Sequence, residues 1–225
     1  EISKIKNLKR IRYTTSHPID FTKDLIDAHV NCEKLMPLIH LPVQSGSDKI
    51  LEAMNRKHTI KDYLGLIKTL TKVKPNIKFS SDFIIGYPGE TDNDFRETIK
   101  LMDEVKFINS YSFTYSARPG TPAYDLKAID PKKAKDRLIE FQDLAEKIKT
   151  RYRENLINKT ANVLFENKIN NEKKYFGRDE FFNSVIVESD DNLTGKIENV
   201  KILKGNHNTL YGEIDTNSNQ KFYAA

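Results

Sequence analysis

Cysteine is almost missing from this chain of 225 residues; there is one, Cys32. That excludes a disulfide framework within the chain and makes a reducing setting such as the cytosol the expectation. It also excludes a complete cysteine-ligated metal site here. Long apolar runs are lacking as well. None approaches the roughly 20 residues of a membrane span. The opening EISKIKNLKR has no apolar stretch of the kind a secretory signal needs. It also has no initiator methionine, so a fragment of a longer protein is expected. Nor is there a strong charge of one sign. The net charge is +5, with 28 Lys/Arg against 22 Asp/Glu in residues 1–157 and 9 against 10 in residues 158–225. That excess is compatible with RNA, although a solvated charged face gives the same signature. What remains is a soluble globular composition, 38% hydrophobic and 31% charged. The length suits one large domain, or one medium and one small.

Up to about residue 150, short strand-like runs alternate with amphipathic helical stretches. The runs are Arg10–Ser16, Ile39–Gln44, Phe79–Ile85 and Ser110–Ser116. Asp20–Cys32 reads as a helix, with Cys32 a small packing residue. Thr59-x-x-Asp62 and Thr91-x-x-Asp94 each open a helix with a capping box that has Asp in place of Glu. Strand–helix repetition predicts an α/β fold with a parallel sheet or barrel. A long helix follows Pro131 and bridges to a segment of different character. From about Lys159 the pattern is strands only: Thr160–Phe165, Ser184–Glu188, Gly195–Leu203 and Leu210–Ile214, parted by Asn-, Asp- and Gly-rich turns. That predicts a small antiparallel barrel of the OB type. The expected domains are therefore 1–157 and 158–225.

The strands of the first domain have one polar face each. Arg12, Thr14 and Ser16 share one; His40 and Gln44 the next; then Ser80 and Asp82; then Ser112, Thr114 and Ser116. Alternation of period two marks a half-exposed sheet. Helices between the strands cover one side, so the polar side either lines a protected interior suited to a polar ligand or forms a half-open, solvated surface. The strand ends carry glycine- and proline-bearing loops: QSGS from Gln44, GYPGE from Gly86 and ARPGT from Ala117. Ligand sites in such barrels lie at those ends, and glycine permits close backbone approach, but Gly and Pro also punctuate ordinary junctions. His17 and His40 are expected to be hydrogen-bonded structural histidines rather than metal ligands.

In that order along the chain, TTSHP, HLPVQSGSDKILEAMNRKHT, SSDFIIGYPGET and YSARPGTPAY resemble the methylthiotransferase family of radical S-adenosylmethionine (SAM) enzymes. The resemblance covers residues 9–215 and is strongest to the tRNA-acting branch. It implies the C-terminal part of a partial (β/α) radical SAM barrel, entered just before its third strand, and then a TRAM domain. It implies transfer of a methylthio group to C2 of N(6)-isopentenyladenosine next to the anticodon. SAM and two [4Fe-4S] clusters would be the cofactors. The three cysteines of the family's N-terminal domain and its CxxxCxxC loop are not in this sequence, so no metal ligand or catalytic residue is expected here, and the chain alone should be inactive.

By position within those motifs, Gln44 would touch the SAM ribose, with Ser45 beside it. Arg56 would meet the methionine carboxylate, a pairing suited to a guanidinium fork. Asp82 would accept from ribose hydroxyls, and the loop with Gly86 and Gly89 would pass the adenine. Arg118 would face RNA phosphate, SAM or the auxiliary cluster. The expected partners are the tRNA anticodon stem–loop and an electron donor, with a monomer acting in the cytoplasm. In the second domain Lys173, Lys174 and Arg178 surround Tyr175 and Phe176, a setting for stacked bases; the same two rings could instead fill the barrel core. The alternatives are an RNA-binding module without catalysis, a methylthiotransferase for another tRNA base or a ribosomal protein, and an aldolase-like phosphate-binding barrel, which would want a Lys base or metal ligands that are not found.

Overall fold

The computed structural model describes residues 1–14, 17–170 and 172–216. Thr15 and Ser16, part of the first expected strand and of the TTSHP motif, lie outside the described residues. The chain forms two compact units, Glu1–Lys149 and Thr150–Ala225.

In the first unit the order is α1 (Lys23–Asn31), β1 (Leu38–His40), α2 (Asp48–Ala53), α3 (Ile60–Val73), β2 (Lys78–Ile85), α4 (Asp92–Val105), β3 (Asn109–Thr114) and α5 (Pro131–Glu154). The three strands form a parallel sheet in the order β1-β2-β3. Both Thr/Asp capping boxes form, at Thr59/Asp62 and Thr91/Asp94. Among the described residues the segment after Arg10 forms a β-bridge only at Ile11, to Leu35. The run expected over Ile39–Gln44 is shorter, because Pro42 offers no N–H to a ladder; pairing resumes in a single bridge from Gln44 to Phe83.

Phe79, Phe83 and Ile85 of β2 are buried in one core with Tyr63 of α3, Phe95 and Met102 of α4, and Phe141 of α5. Phe83 sits between Phe107 and Phe141, with ring centroids 5.5 and 4.6 Å away. On the other face of the sheet stand His40, Ser80 and Asp82. Here β3 departs from expectation. Asp82 is paired with Tyr111 and Ile84 with Phe113, whereas Ser112 is paired with Phe83. Paired residues share a face, so Tyr111 and Phe113, not Ser112 and Thr114, join Asp82 on the concave side. The register of β3 against β2 sets that parity, and a shift of one residue flips every side chain. Ser112 faces α5 instead, where the Gln142 amide donates to its hydroxyl at 3.4 Å.

The second unit is a closed barrel of β4 (Thr160–Lys168), β5 (Lys174–Arg178), β6 (Ser184–Glu188), β7 (Ile197–Gly205) and β8 (Thr209–Ile214), in the order β4-β5-β6-β8-β7. It is the expected small all-β barrel, with β5 added to the four expected strands and with β6 pairing β8 in parallel rather than antiparallel. Val163, Phe165, Tyr175, Val185, Val187, Val200, Ile202 and Leu210 fill it. This unit begins inside α5, eight residues before the expected boundary. Arg153 donates to the carbonyls of Asn206 and Asn208, at 3.2 and 3.3 Å, tying the last helical turn to the barrel.

Candidate cofactor site

A cavity of about 830 Å³ opens at the C-terminal ends of β2 and β3. Gln44, Arg56 and Arg118 contribute its polar wall, and Met54, Tyr87 and Tyr115 part of its apolar wall. Gln44 is held by both neighbouring peptides of β2. Its N–H donates to the Asp82 carbonyl and its carbonyl accepts from the Ile84 N–H, each at 2.9 Å. Its φ of 77° is left-handed, uncommon for a residue with a side chain and frequent where function constrains the backbone. Its side chain is buried.

Arg56 arrives by a helix C-terminus. Asn55 takes φ 58° and the Arg56 N–H donates to the Leu51 carbonyl at 2.8 Å, which closes α2 and turns the chain. Burial pulls the Arg56 guanidinium below its ordinary pKa, while nearby Asp82 acts in the opposite sense. Burial, His17 and Arg56 together push the buried His58 down to about 4. Its ring lies edge-on to His17 at 5.0 Å. Burial and Arg56 lower His17 as well, so both imidazoles are neutral at pH 7, leaving Arg56 the positive group of this corner. His17 and His40 are hydrogen-bonded, His17 Nδ1 accepting from the Ile19 N–H at 3.2 Å and His40 Nδ1 lying 3.0 Å from the Ser80 hydroxyl. The other nitrogen of His40 is 3.4 Å from the Asp82 carboxylate.

The loop from Gly86 to Glu90 is braced from behind. The Gly86 N–H donates to the Glu90 carboxylate at 3.2 Å, and Arg137 of α5 donates to the same carboxylate at 2.6 Å. A Cβ on Gly86 would fall 2.9 Å from that of Ala134, and φ there is 78°, so this position needs glycine. The loop thereby presents Tyr87, whose hydroxyl donates to the Ala53 carbonyl at 2.8 Å and whose ring meets Tyr115 edge-on at 5.0 Å.

Residues 1–102 match the model of the radical SAM superfamily. The chain is 49% identical over 221 residues to the tRNA-2-methylthio-N(6)-dimethylallyladenosine synthase of Pelagibacter ubique (strain HTCC1062), covering 98% of this chain and 50% of that protein. It is 50% identical over 214 residues to the protein of the same name from Wolbachia pipientis subsp. Culex pipiens (strain wPip), covering 94% and 49%. The chain thus spans about half the length of the curated relatives it matches. Among solved structures, coproporphyrinogen III oxidase (HemN) from Escherichia coli, described as a radical SAM enzyme, superposes with a TM-score of 0.50 at 16% identity. That match covers 73% of this chain and 45% of the other, and it speaks for the fold alone.

Residues 1–102 carry the radical SAM domain match.

The residues present fit the nucleoside and amino-acid parts of SAM. Among the described residues the Arg56 guanidinium has no hydrogen bond or ion pair, and neither has the buried Gln44 amide; both line the cavity. A buried hydroxyl of Tyr115, also at the wall, lacks a partner too. A fully buried hydroxyl without a partner is costly unless a ligand meets it. The residues do not fit an iron–sulfur cluster, which takes several thiolates. Among the described residues no group of three or more His, Cys, Asp or Glu side chains could hold a metal.

Not every expected radical SAM contact converges. Gln44, Arg56 and Arg118 share the cavity. Asp82 lies beside it on the concave face, facing His40. Ser45 turns the other way: it is buried, and its hydroxyl lies 3.4 Å from that of Thr98 on α4. Gly86 and Gly89 shape the loop without lining the cavity. Tyr87, Tyr115 and Met54 form its apolar wall, and sequence reasoning gave them no role. The signal was present, since each sits within a motif at a strand or helix end. In the barrel, Tyr175 is a correction. It is 3% exposed because β5 alternates inward at 175 and 177, so its ring fills the core and is closed to a base. Lys173 pairs with Asp190 and Lys174 with Glu172. Arg178 pairs with Glu166 at 3.4 Å and lies on the outer surface against Phe176 and Phe182, and sequence reasoning passed over Phe182.

Proposed function

We propose that this chain is the part of a tRNA methylthiotransferase that holds SAM and part of the tRNA. The observation that carries it is the partly desolvated Arg56 guanidinium, without a partner among the described residues, at the wall of the cavity that also receives the Gln44 amide. A bidentate pair with a carboxylate would satisfy that guanidinium. Gln44 would hydrogen-bond the ribose, Asp82 would accept from a ribose hydroxyl at the concave face, and Tyr87 and Tyr115 would flank the adenine. SAM, bound beside a reduced [4Fe-4S] cluster, supplies radical hydrogen-atom abstraction and a methyl group. The protein orients the reactants and keeps water from the cavity.

The relatives' name, tRNA-2-methylthio-N(6)-dimethylallyladenosine synthase, supports C2 of N(6)-isopentenyladenosine in tRNA as the substrate. The further parts of this reading are a position next to the anticodon, a cytoplasmic monomer and a separate electron donor. In this reading the thiolates for two clusters lie outside the sequence given. Residues 1–157 are the end of the radical SAM barrel with its bridging helix, and residues 158–225 are a TRAM domain. In the complete enzyme, Arg56→Ala should weaken SAM binding by about 1–3 kcal/mol in a calorimetric titration; unchanged affinity removes Arg56 from the site. The present chain, incubated anaerobically with iron, sulfide, reductant and SAM, should yield no 5′-deoxyadenosine. Its appearance would mean that the cluster ligands have been misassigned.

A further inference from the structure

Two loops that shape the cavity are seated on one end of α4. The turn over residues 44–47 lies so close to that helix that a Cβ on Gly46 would fall 2.5 Å from both the Glu97 carbonyl oxygen and the Thr98 Cα. The Gly46 N–H donates to the Thr98 hydroxyl at 2.9 Å, and the Ser47 hydroxyl donates to the Asp94 carboxylate at 2.7 Å. The same carboxylate accepts from the Thr91 N–H at 2.8 Å and from the Thr91 hydroxyl at 2.7 Å, just after the loop that starts at Gly86. Ser47 and Asp94 are buried.

Lys49 joins the two loops. From the first turn of α2 its ammonium donates to the Asp94 carboxylate at 2.9 Å and to the Gly89 carbonyl at 3.0 Å. At the other end of α2 the Tyr87 hydroxyl donates to the Ala53 carbonyl at 2.8 Å. The loop from Gly86 to Glu90 is thereby fastened to both ends of α2, the helix whose C-terminus turns the chain to Arg56. The capping box of α4 needs only Thr91 and Asp94. The Lys49 side chain is 59% exposed, where an ion pair adds little stability, and without it the Asp94 carboxylate keeps its donors from Ser47 and Thr91. Neither capping nor stability calls for an ammonium that also reaches a loop carbonyl. What the contact does is fix where Tyr87 stands relative to Arg56.

From this arrangement we infer that Lys49, anchored on Asp94, is a positioning residue for the cofactor cavity. It holds the loop carrying Tyr87 at a set distance from α2, so that the ring beside the adenine and the guanidinium beside the carboxylate meet one ligand together. Lys49 is not among the residues that line the cavity, so it acts through Tyr87 and Arg56. A site built from two elements works only while their spacing is kept, and a shift of about 1 Å is costly in a preorganised site. This inference rests on the proposal that the cavity holds SAM. It adds the residue that sets the spacing of the two walls.

Lys49→Met keeps an unbranched stem and removes the ammonium. In the complete enzyme, calorimetric titration should show SAM binding about tenfold weaker, with the melting temperature within about 3 °C of wild type. Lys49→Arg, which keeps a cation able to reach both acceptors, should recover most of the affinity. In a double-mutant cycle, Lys49→Met should cost little further affinity once Tyr87→Leu is in place, because the lysine acts through that ring. A lysine that only supports the fold would lower the melting temperature and add its loss to that of Tyr87→Leu. Wild-type affinity in Lys49→Met, failure of that variant to fold, no recovery in Lys49→Arg, or strictly additive losses in the cycle overturns the positioning role. The wild type separates the two proposals. An enzyme that does not bind SAM defeats the cofactor reading and this inference together. SAM binding that Arg56→Ala weakens and Lys49→Met leaves untouched defeats the positioning role alone.

Discussion

The parallel sheet of the first unit packs Phe79, Phe83 and Ile85 under helices and turns His40, Ser80 and Asp82 to a concave face, with Gln44 and Arg56 at its rim. The barrel of the second unit closes on itself around Val163, Phe165 and Tyr175, and displays Phe176, Arg178 and Phe182 outward. The first arrangement gathers polar groups at the rim of a cavity, where in the proposed reading a ligand would meet Gln44 and Arg56. The second keeps a dry core and places its rings and cations on the surface. Electrostatic contacts strengthen as water is excluded, so a small charged ligand gains from the first arrangement. Substitutions of the buried groups at the first unit's rim should therefore alter stability and binding together, whereas those on the barrel's outer face should leave stability unchanged.

The comparison is tested hardest at Arg137, which donates to the Glu90 carboxylate and carbonyl and to Asp92. Both members of the Arg137–Glu90 pair are buried, at 5% and 6% residue exposure. Burial pushes the Glu90 carboxyl up, against the pull of the Gly86 N–H and Arg137. Arg137→Ala would leave that carboxylate buried without its cation and free the loop that presents Tyr87. The expected loss is about 3–5 kcal/mol of stability, confined to the first unit. In hydrogen exchange, peptides from β2, α4 and the Gly86–Glu90 loop should lose protection while those from the barrel strands keep theirs. Equal loss in both units would mean that they unfold as one and that the contrast is not energetic.

Much of this was legible in the sequence. Helix starts announced themselves through Thr59/Asp62 and Thr91/Asp94, because a capping box is local chemistry. The cavity residues Gln44 and Arg56 were legible from their motifs. What was not legible depends on pairing at a distance. The faces of β3 were read with Ser112 and Thr114 inward, whereas the register with β2 puts Tyr111 and Phe113 beside Asp82, although Ser112, Thr114 and Ser116 still line the cavity at the strand end. Ser45 sits beside Gln44 in sequence yet points to Thr98, because the left-handed turn at Gln44 redirects the chain. Tyr175 and Phe176 were read together as rings beside basic residues; alternation along β5 sends one in and the other out. Phe182 left no trace, since its exposure follows from the brace between the Asp179 carboxylate and Asn183 and not from composition.

Acid offers a gentler way to separate the units. His29 and His58 are both buried in the first unit, at 1% and 7% exposure. Burial and Lys74 push His29 down to about 4, and burial with His17 and Arg56 does the same to His58. Their unfolded pKa is about 6.5. Between those values the unfolded chain takes up protons that the folded unit refuses. The stability contributed by keeping them neutral is therefore present above pH 6.5 and lost as pH falls toward 4. By pH 5 the loss should be on the order of 1–2 kcal/mol per histidine, and the barrel core contains no histidine to share it. Hydrogen exchange at pH 7 and pH 5, corrected for intrinsic rates, should show α1 and α3 opening more readily at the lower pH and β4 to β8 unchanged. The two histidines can then be told apart. The His29 ring bonds the Tyr13 hydroxyl at 2.6 Å, so His29→Gln should cost stability at pH 7 while removing part of the acid sensitivity. Among the described residues neither His58 nitrogen has a partner, so His58→Leu leaves no orphaned group behind and should be neutral or stabilising at pH 7, with the remaining sensitivity cut. Acid sensitivity that survives both changes would place its origin in the carboxylates and remove the histidines from the account.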